Sequence, residues 1–141
     1  MRILIIGSQG FVGSHVLLAL INKFGADSVY STSIKDTGLL GSAHCGDLRL
    51  TESTVNDLAD FIQINKITSV VNAAGVIGAK PNSNPDMKIA DSIVNSYKLL
   101  KNKPALLHVG SSSEYTSVEF EVDTDELSEC QPRSIYGNNK L

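Results

Sequence analysis

The chain has 141 residues, which is enough for one domain with its own hydrophobic core and too few for two. Its residues are 42% hydrophobic and 19% charged, and its apolar runs are far shorter than the roughly 20 residues of a membrane-spanning helix, so we expect no membrane segment. The formal net charge of −3 provides no basic surface for nucleic acid, so we expect no nucleic-acid partner.

The sequence shows no pattern typical of secretion or of metal binding. The apolar N-terminus runs into glycines rather than into a cleavage site, so we expect a cytoplasmic protein. Cys45 and Cys130 have neither CxxC nor metal-ligand spacing, and the three histidines are scattered along the chain. We therefore predict no metal site and no disulfide.

The predicted elements alternate between strands and helices. Residues 2–6 form a β-branched run that ends at a glycine, and the apolar residues that follow recur with helical spacing up to Gly25. Further strands are predicted at residues 28–32, 43–46, 68–72 and 105–109, and further helices at 55–62, 89–100 and from about 134 onward. This order predicts an α/β fold with a doubly wound, Rossmann-type parallel sheet, in which ligands bind at the carboxyl ends of the strands.

Residues 7–13 form a G-x-x-G-x-x-G loop between the first predicted strand and helix. Gly7 and Gly10 can take a positive φ and let the backbone approach a pyrophosphate, and Gly13 lets the helix pack closely on the strand. The free N–H groups at the start of the helix favour an anion. The setting predicts a dinucleotide site, and the alternative is a tight turn that merely favours glycine.

Two short segments after later strands have residues that suit a nucleotide. Asp47 and Leu48 follow the predicted third strand, where a carboxylate can accept a hydrogen bond from the adenine amino group and a leucine can pack on the ring. Ala73, Ala74 and Gly75 follow the fourth strand and are small enough to let a dinucleotide lie across the sheet edge. Either segment alone is also compatible with ordinary packing.

Two polar groupings in the last third of the chain suggest proton transfer. Tyr136 and Lys140 have Y-x-x-x-K spacing, which places them on one face of a helix. A phenol ordinarily ionises near pH 10, so it needs a nearby cation to exchange protons near neutrality. A serine run that begins at Ser111 follows the strand at 105–109, and a hydroxyl there would face the nicotinamide region. Each pattern is also common on ordinary protein surfaces.

In this order the motifs resemble the extended short-chain dehydrogenase/reductase family, whose best-known members are nucleotide-sugar epimerases and dehydratases. The resemblance rests on G-x-x-G-F-V-G, the Asp47-Leu48 pair, N-A-A-G, the serine run followed by Glu114-Tyr115, and Y-x-x-x-K. It implies that NAD or NADP is bound by Gly7, Gly10, Phe11, Val12, Gly13, Asp47, Leu48, Ala73, Ala74, Gly75, Tyr136 and Lys140.

The same resemblance implies catalytic roles for three residues. Ser111 precedes Tyr115 by the usual offset and would supply the catalytic hydroxyl. Tyr136 would be the acid/base, with Lys140 as its partner and as a ligand of the nicotinamide ribose. Asn95, inside the predicted helix at 89–100, is similar to a structurally important asparagine of the family.

Three departures from the family pattern bear on these expectations. Residues 29–33 offer only hydroxyls where NAD-dependent members have an acidic residue, and Lys35 lies nearby, which favours NADP. Thr116 stands where many relatives have glycine. The chain stops at Leu141, whereas relatives continue through further strands and a C-terminal substrate domain. We therefore expect residues 1–141 to be an incomplete NAD(P)-binding Rossmann domain with little turnover by itself.

The resemblance implies the cofactor-binding part of a nucleotide-sugar epimerase or dehydratase, in which a hydride moves between a sugar carbon and NAD(P) while Tyr136 relays a proton. The expected partner is a small-molecule substrate, and a full-length form is expected to be a homodimer. The alternatives are a carbonyl reductase of the same superfamily and a non-catalytic NAD(P)-sensing module.

Overall fold

A computed structural model describes residues 1–32, 53–76, 84–115, 125, 127–132 and 134–140. In chain order the elements are β1 (Ile3–Ile6), α1 (Phe11–Phe24), β2 (Val29–Thr32), α2 (Ser53–Ile64), β3 (Ser69–Asn72), α3 (Pro85–Leu99), β4 (Ala105–His108) and α4 (Ile135–Lys140). Short 3₁₀ turns cover Ala26–Ser28 and Ser112–Glu114. The predicted strand at 43–46 lies outside the described residues.

The four described strands form one parallel sheet with the order β2-β1-β3-β4. β1 is central, and its last residue, Ile6, lies opposite Thr32 on one side and Asn72 on the other. From β1 the chain first adds β2 on one side and then adds β3 and β4 on the other side. The change of direction occurs between β1 and β3, so the carboxyl ends of these two strands form the topological switch point. Ligands of open α/β sheets bind at this point.

Helices cover both faces of β1. Leu4 and Ile6 point to one face, where they belong to a buried cluster with residues of α2 and α3 such as Leu58 and Ile93. Ile5 points to the other face and is also fully buried, and α1 packs against β1 and β2. Each such side chain contributes about 1.5–3 kcal/mol when it is removed from water. The predicted α/β fold is confirmed.

The ends of α1 and the packing of α3 follow from particular small residues. α1 ends at Gly25, which has φ 82° and donates its N–H to the Ile21 carbonyl, as expected of a glycine after a helix. α3 packs on α2 through Ser96, which is fully buried and donates its Oγ to the Val55 carbonyl at 2.9 Å. None of the helices in the described ranges is long and apolar enough to cross a membrane.

Candidate functional site

The loops that follow β1 and β3 meet at the switch point. The Ala73 N–H donates to the Ile6 carbonyl at 2.9 Å and so extends the sheet by one residue. Gly7 has φ 82°, and a Cβ placed on it would lie 2.6 Å from both the N and the Cα of Ala74. The two backbones are therefore too close for any side chain at position 7, which confirms that this glycine is needed for more than its turn.

Hydrogen bonds within the glycine loop and to β2 hold the loop in position. The Gly10 N–H donates to the Gly7 carbonyl at 3.0 Å, and a Cβ on Gly13 would overlap that same carbonyl. Ser8 is buried and donates its Oγ to the Thr32 carbonyl at 3.2 Å. The first hydrogen bond of α1 runs from Ser14 N–H to the Gly10 carbonyl, so the N–H groups of the preceding helical residues have no partner within the helix. This is the geometry that a phosphate group requires.

The peptide of Ala74 is held on both sides by polar side chains. Its N–H donates to Asn72 Oδ1 at 3.1 Å, and its carbonyl accepts a hydrogen bond from Lys140 Nζ at 3.3 Å. A Cβ on the next residue, Gly75, would lie 2.8 Å from the same Nζ. Ala74 therefore contacts the glycine loop through Gly7 and the last helix through Lys140.

Lys140 is paired with a carboxylate that the sequence did not single out. Its Nζ lies 3.5 Å from Asp86 Oδ1, and both side chains are only 5% exposed. The same Oδ1 accepts a hydrogen bond from the Val76 N–H at 3.1 Å. Asp86 thus joins the start of α3, the loop after β3 and the lysine of α4.

Tyr136 and Lys140 are brought together as the Y-x-x-x-K spacing predicts. Both lie on α4, and the lysine Nζ is 5.9 Å from the centre of the tyrosine ring. At this distance the ammonium lies within cation–π range of the ring. The tyrosine is half-buried.

Ser111 lies at the carboxyl end of β4, where it caps the 3₁₀ turn Ser112–Glu114, here called the serine turn. Its Oγ accepts the Ser113 N–H at 3.2 Å, and its own N–H donates to Glu114 Oε1 at 2.7 Å. These two bonds fix the position of the serine and leave its hydroxyl hydrogen available for a further acceptor.

The serine turn and α4 are in close contact through Gly137. A Cβ on this glycine would overlap the Ser113 carbonyl and lie 2.9 Å from Pro132 Cβ. A glycine is unfavourable inside a helix, so the second residue of Y-G-N-N-K is explained by this approach rather than by helix propensity. Gly137 was not among the predicted site residues, although its poor fit to a helix was a readable signal.

A cleft of about 340 Å³ opens beside these groups between α3, β4 and α4. Its apolar lining comes mainly from α3, and its polar lining is formed by Asn72, Asp86, Asp91, His108, Asn138 and Lys140. The volume is within the range of small-molecule sites. Asp86 and His108 were not predicted, because an acid after a helix-initiating proline and a histidine at the end of a strand are both ordinary in those places.

Several predicted residues cannot be placed. Asp47 and Leu48, together with Lys35 and Thr116, lie outside the described residues. Asn95 is placed on the exposed side of α3, where its Oδ1 accepts a hydrogen bond from Lys98 Nζ at 3.0 Å. The expected structural role of Asn95 therefore has no support, since the buried polar positions of that helix are held by other residues.

Removal of the Asp86 carboxylate is expected to release α4. In Asp86→Ala the Val76 N–H loses its acceptor and the buried ammonium of Lys140 loses its carboxylate partner, and each such loss costs about 1–3 kcal/mol. We expect hydrogen exchange of the α4 amides to accelerate at least about tenfold, because 1.4 kcal/mol corresponds to that factor. Asp86→Asn keeps an acceptor for Val76 and should have a smaller effect.

Asp60→Ala is the matched control, because Asp60 is an exposed acid on α2. It should leave exchange of the α4 amides unchanged. Equal rates in the Asp86 and Asp60 variants would show that the ion pair does not hold the helix.

The chain is similar to known proteins of one family. The family model described as the NAD dependent epimerase/dehydratase family matches residues 3–141. Protein CapI of Staphylococcus aureus is 30% identical over 158 residues, in an alignment that covers 99% of this chain and 46% of the relative. The chain thus spans about half the length of the curated relative that it matches.

Solved structures with the same fold include three enzymes. The TM-score is 0.79 at 18% identity for L-threonine dehydrogenase from Phytophthora infestans, 0.73 at 20% for dTDP-glucose 4,6-dehydratase from Bacillus anthracis in complex with NAD, and 0.67 at 19% for UDP-N-acetylglucosamine 4-epimerase from Bacillus cereus. Each match covers 99% of this chain and 46% or 47% of the other. Because the family model covers nearly all of the chain, this protein belongs to the NAD dependent epimerase/dehydratase family.

Proposed function

We propose that residues 1–141 form the cofactor-binding part of an NAD(P)-dependent nucleotide-sugar epimerase or dehydratase in which Tyr136 relays a proton. The observation that carries the proposal is the position of Ala74, which lies against Gly7 and accepts a hydrogen bond from Lys140. The backbone of one residue thereby joins the glycine loop to the Y-x-x-x-K helix. Two of the similar structures are named as enzymes of nucleotide sugars, a dTDP-glucose dehydratase and a UDP-N-acetylglucosamine epimerase.

The glycine loop fits the pyrophosphate of a dinucleotide. Its glycines keep the loop compact, since side chains at Gly7 and Gly13 would overlap other backbone atoms. The first N–H groups of α1 have no partner within the helix, and Phe11 and Val12 at its start are 84% and 45% exposed, where they can contact a ligand. Asp47 and Leu48 are assigned to the adenine by resemblance alone.

The residues at the other end of the site have separate roles in this proposal. Lys140, beside the Ala74 carbonyl and Gly75, would bond the ribose hydroxyls and favour ionisation of Tyr136. Tyr136 would exchange a proton with a substrate oxygen, and Ser111 would donate a hydrogen bond to that oxygen. NAD(P), when bound, supplies the hydride acceptor for the substrate carbon.

We further propose that NADP binds more tightly than NAD. Residues 29–33 contain no carboxylate to bond a ribose 2′-hydroxyl, and Lys35 follows closely in the sequence. The chain has no tryptophan, so the emission of NADH or NADPH can be titrated against a low protein background. A lower Kd for NADPH is expected, and a clearly lower Kd for NADH would contradict this preference without contradicting the site.

The reaction class is tested with the protein as its gene encodes it. The protein is supplied with NAD(P)⁺ and either a UDP-hexose, a dTDP-hexose or L-threonine, and the products are identified by NMR. An epimerised or dehydrated nucleotide sugar is the expected product. Oxidation of L-threonine alone would indicate a dehydrogenase instead of the proposed enzyme. Reduction of a simple ketone alone would indicate a carbonyl reductase. Cofactor binding without any turnover would favour the sensing module.

A further inference from the structure

The side chain of Asn72 connects a titratable residue to the centre of the site. Asn72 ends β3 and is 1% exposed. Its Nδ2 lies 2.8 Å from His108 Nδ1 on the neighbouring strand, and its Oδ1 accepts the Ala74 N–H at 3.1 Å. The amide therefore bridges His108 and the peptide that separates Gly7 from Lys140.

This bridge defines the protonation state of the histidine. The Ala74 N–H can only donate, so the Asn72 oxygen must face it and the Asn72 NH₂ must face His108. His108 Nδ1 then has to accept, which requires a neutral ring with its proton on Nε2. If Nδ1 gains a proton, either orientation of the Asn72 amide leaves two donors facing each other. Protonation of His108 thus breaks one of the two bonds.

We propose that His108 is a positioning residue for the cofactor site, whose neutral form holds Ala74 in place through Asn72. This inference rests on the proposed cofactor site in one respect, since displacement of Ala74 disturbs the backbone packed on Gly7 and the acceptor of Lys140. Cofactor affinity should then fall as His108 gains a proton. His108 does not itself need to touch the cofactor.

The surroundings of His108 fix the direction of this pH dependence. His108 is an exposed residue whose partial desolvation lowers its pKa below the ordinary value of about 6.5; the Lys140 ammonium lowers the pKa further, and the Glu114 and Asp86 carboxylates oppose the shift. The folded protein therefore prefers the neutral ring. The network is intact above about pH 6.5 and is lost as the pH falls through the lowered pKa of the folded state.

The first experiment needs no cofactor and no variant. The His108 ring resonances and the Ala74 amide resonance are followed by NMR between about pH 8 and pH 5. We expect the Ala74 amide to shift with the same midpoint as the His108 ring. An Ala74 amide that stays still while the ring titrates would overturn the inference, whether or not the chain binds a cofactor.

The second experiment measures the effect on binding. Between about pH 8 and pH 5 the Kd for NADH or NADPH should rise about tenfold in the wild-type chain, which is the loss of one net hydrogen bond. In His108→Gln, which cannot titrate, the rise should be under about threefold. His15→Gln removes an exposed histidine of α1 and should behave as wild type.

The two experiments separate the two proposals. If the chain binds neither cofactor at any pH while the Ala74 amide follows His108, the cofactor proposal fails and the coupling stands. If binding is tight but equally pH-dependent in wild type and His108→Gln, the role of His108 is refuted and the cofactor site stands.

Discussion

Replacement of Gly7 by alanine is expected to weaken NAD(P)H binding at least about 100-fold and to lower the free energy of unfolding by about 3–5 kcal/mol. Two costs combine at this position. A side chain at φ 82° is strained by about 1–2 kcal/mol, and its Cβ would lie 2.6 Å from the Ala74 backbone, which has no flexible end that can move away. Separation of the two loops widens the phosphate cradle and shifts the carbonyl that Lys140 binds.

Gly25 provides the matched control for this prediction. It also has φ 82°, but a Cβ on it would have nothing within 4 Å. Gly25 has ψ 151°, a backbone conformation nearly restricted to glycine, so Gly25→Ala should show only conformational strain, about 1–3 kcal/mol, and an unchanged Kd. Urea unfolding and titration of NADPH emission measure both quantities. Equal losses of unfolding free energy and of NADPH affinity in the two variants would mean that the close contact with Ala74 contributes to neither.

The sequence was sufficient for the features that depend on local chemistry. The β-branched run before Gly7 and the apolar periodicity up to Gly25 each act within one element, and the structure places β1 and α1 accordingly. The spacing of Tyr136 and Lys140 likewise predicts their common helix face. The partner of Gly7 was less accessible to prediction, since the residue packed against it comes from β3, more than 60 residues further along the chain.

Contacts between distant elements explain what the sequence could not show. The Lys140 ammonium was expected to face a ribose, and the structure adds a contact with Asp86. Asp86 lies in the first turn of α3, where an acid is favourable because of the helix dipole alone, so nothing in the sequence indicated that it has a partner. The bridge from His108 to Ala74 depends on the register of β3 and β4, in which Asn72 lies opposite His108. No spacing rule within one element contains that register.

Asn95 shows how a helix position can mislead. The residue is one position from Ser96, which is fully buried against α2, yet a step of one residue turns a side chain by about 100° around the helix. Asn95 therefore faces solvent, and its amide oxygen accepts a hydrogen bond from Lys98. The resemblance to the family did not show which side of α3 faces the core. That side is set by the packing of α3 on α2.

Replacement of Tyr136 by phenylalanine is expected to lower turnover of the nucleotide sugar by about 10²–10⁴-fold in the protein as its gene encodes it. In the proposed function the phenol transfers the proton, and the centre of its ring lies 5.9 Å from the Lys140 ammonium. Phenylalanine keeps the ring and its packing, and Lys140 keeps its contacts with Asp86 and Ala74. The Kd for NADPH should therefore change by less than about threefold.

Tyr30→Phe is the appropriate comparison, because Tyr30 lies on β2, at the opposite edge of the described sheet from β4 and the serine turn that follows it. Its ring packs edge-to-face on Phe61, with ring centroids 5.8 Å apart. It should leave both turnover and Kd unchanged. A Tyr136→Phe protein with full turnover would assign the proton to another group, and a protein in which Kd and turnover fall together would give the tyrosine a binding role. Loss of turnover at an unchanged Kd for NADPH is the result that supports proton transfer by Tyr136, since the phenol oxygen is the only heavy atom removed.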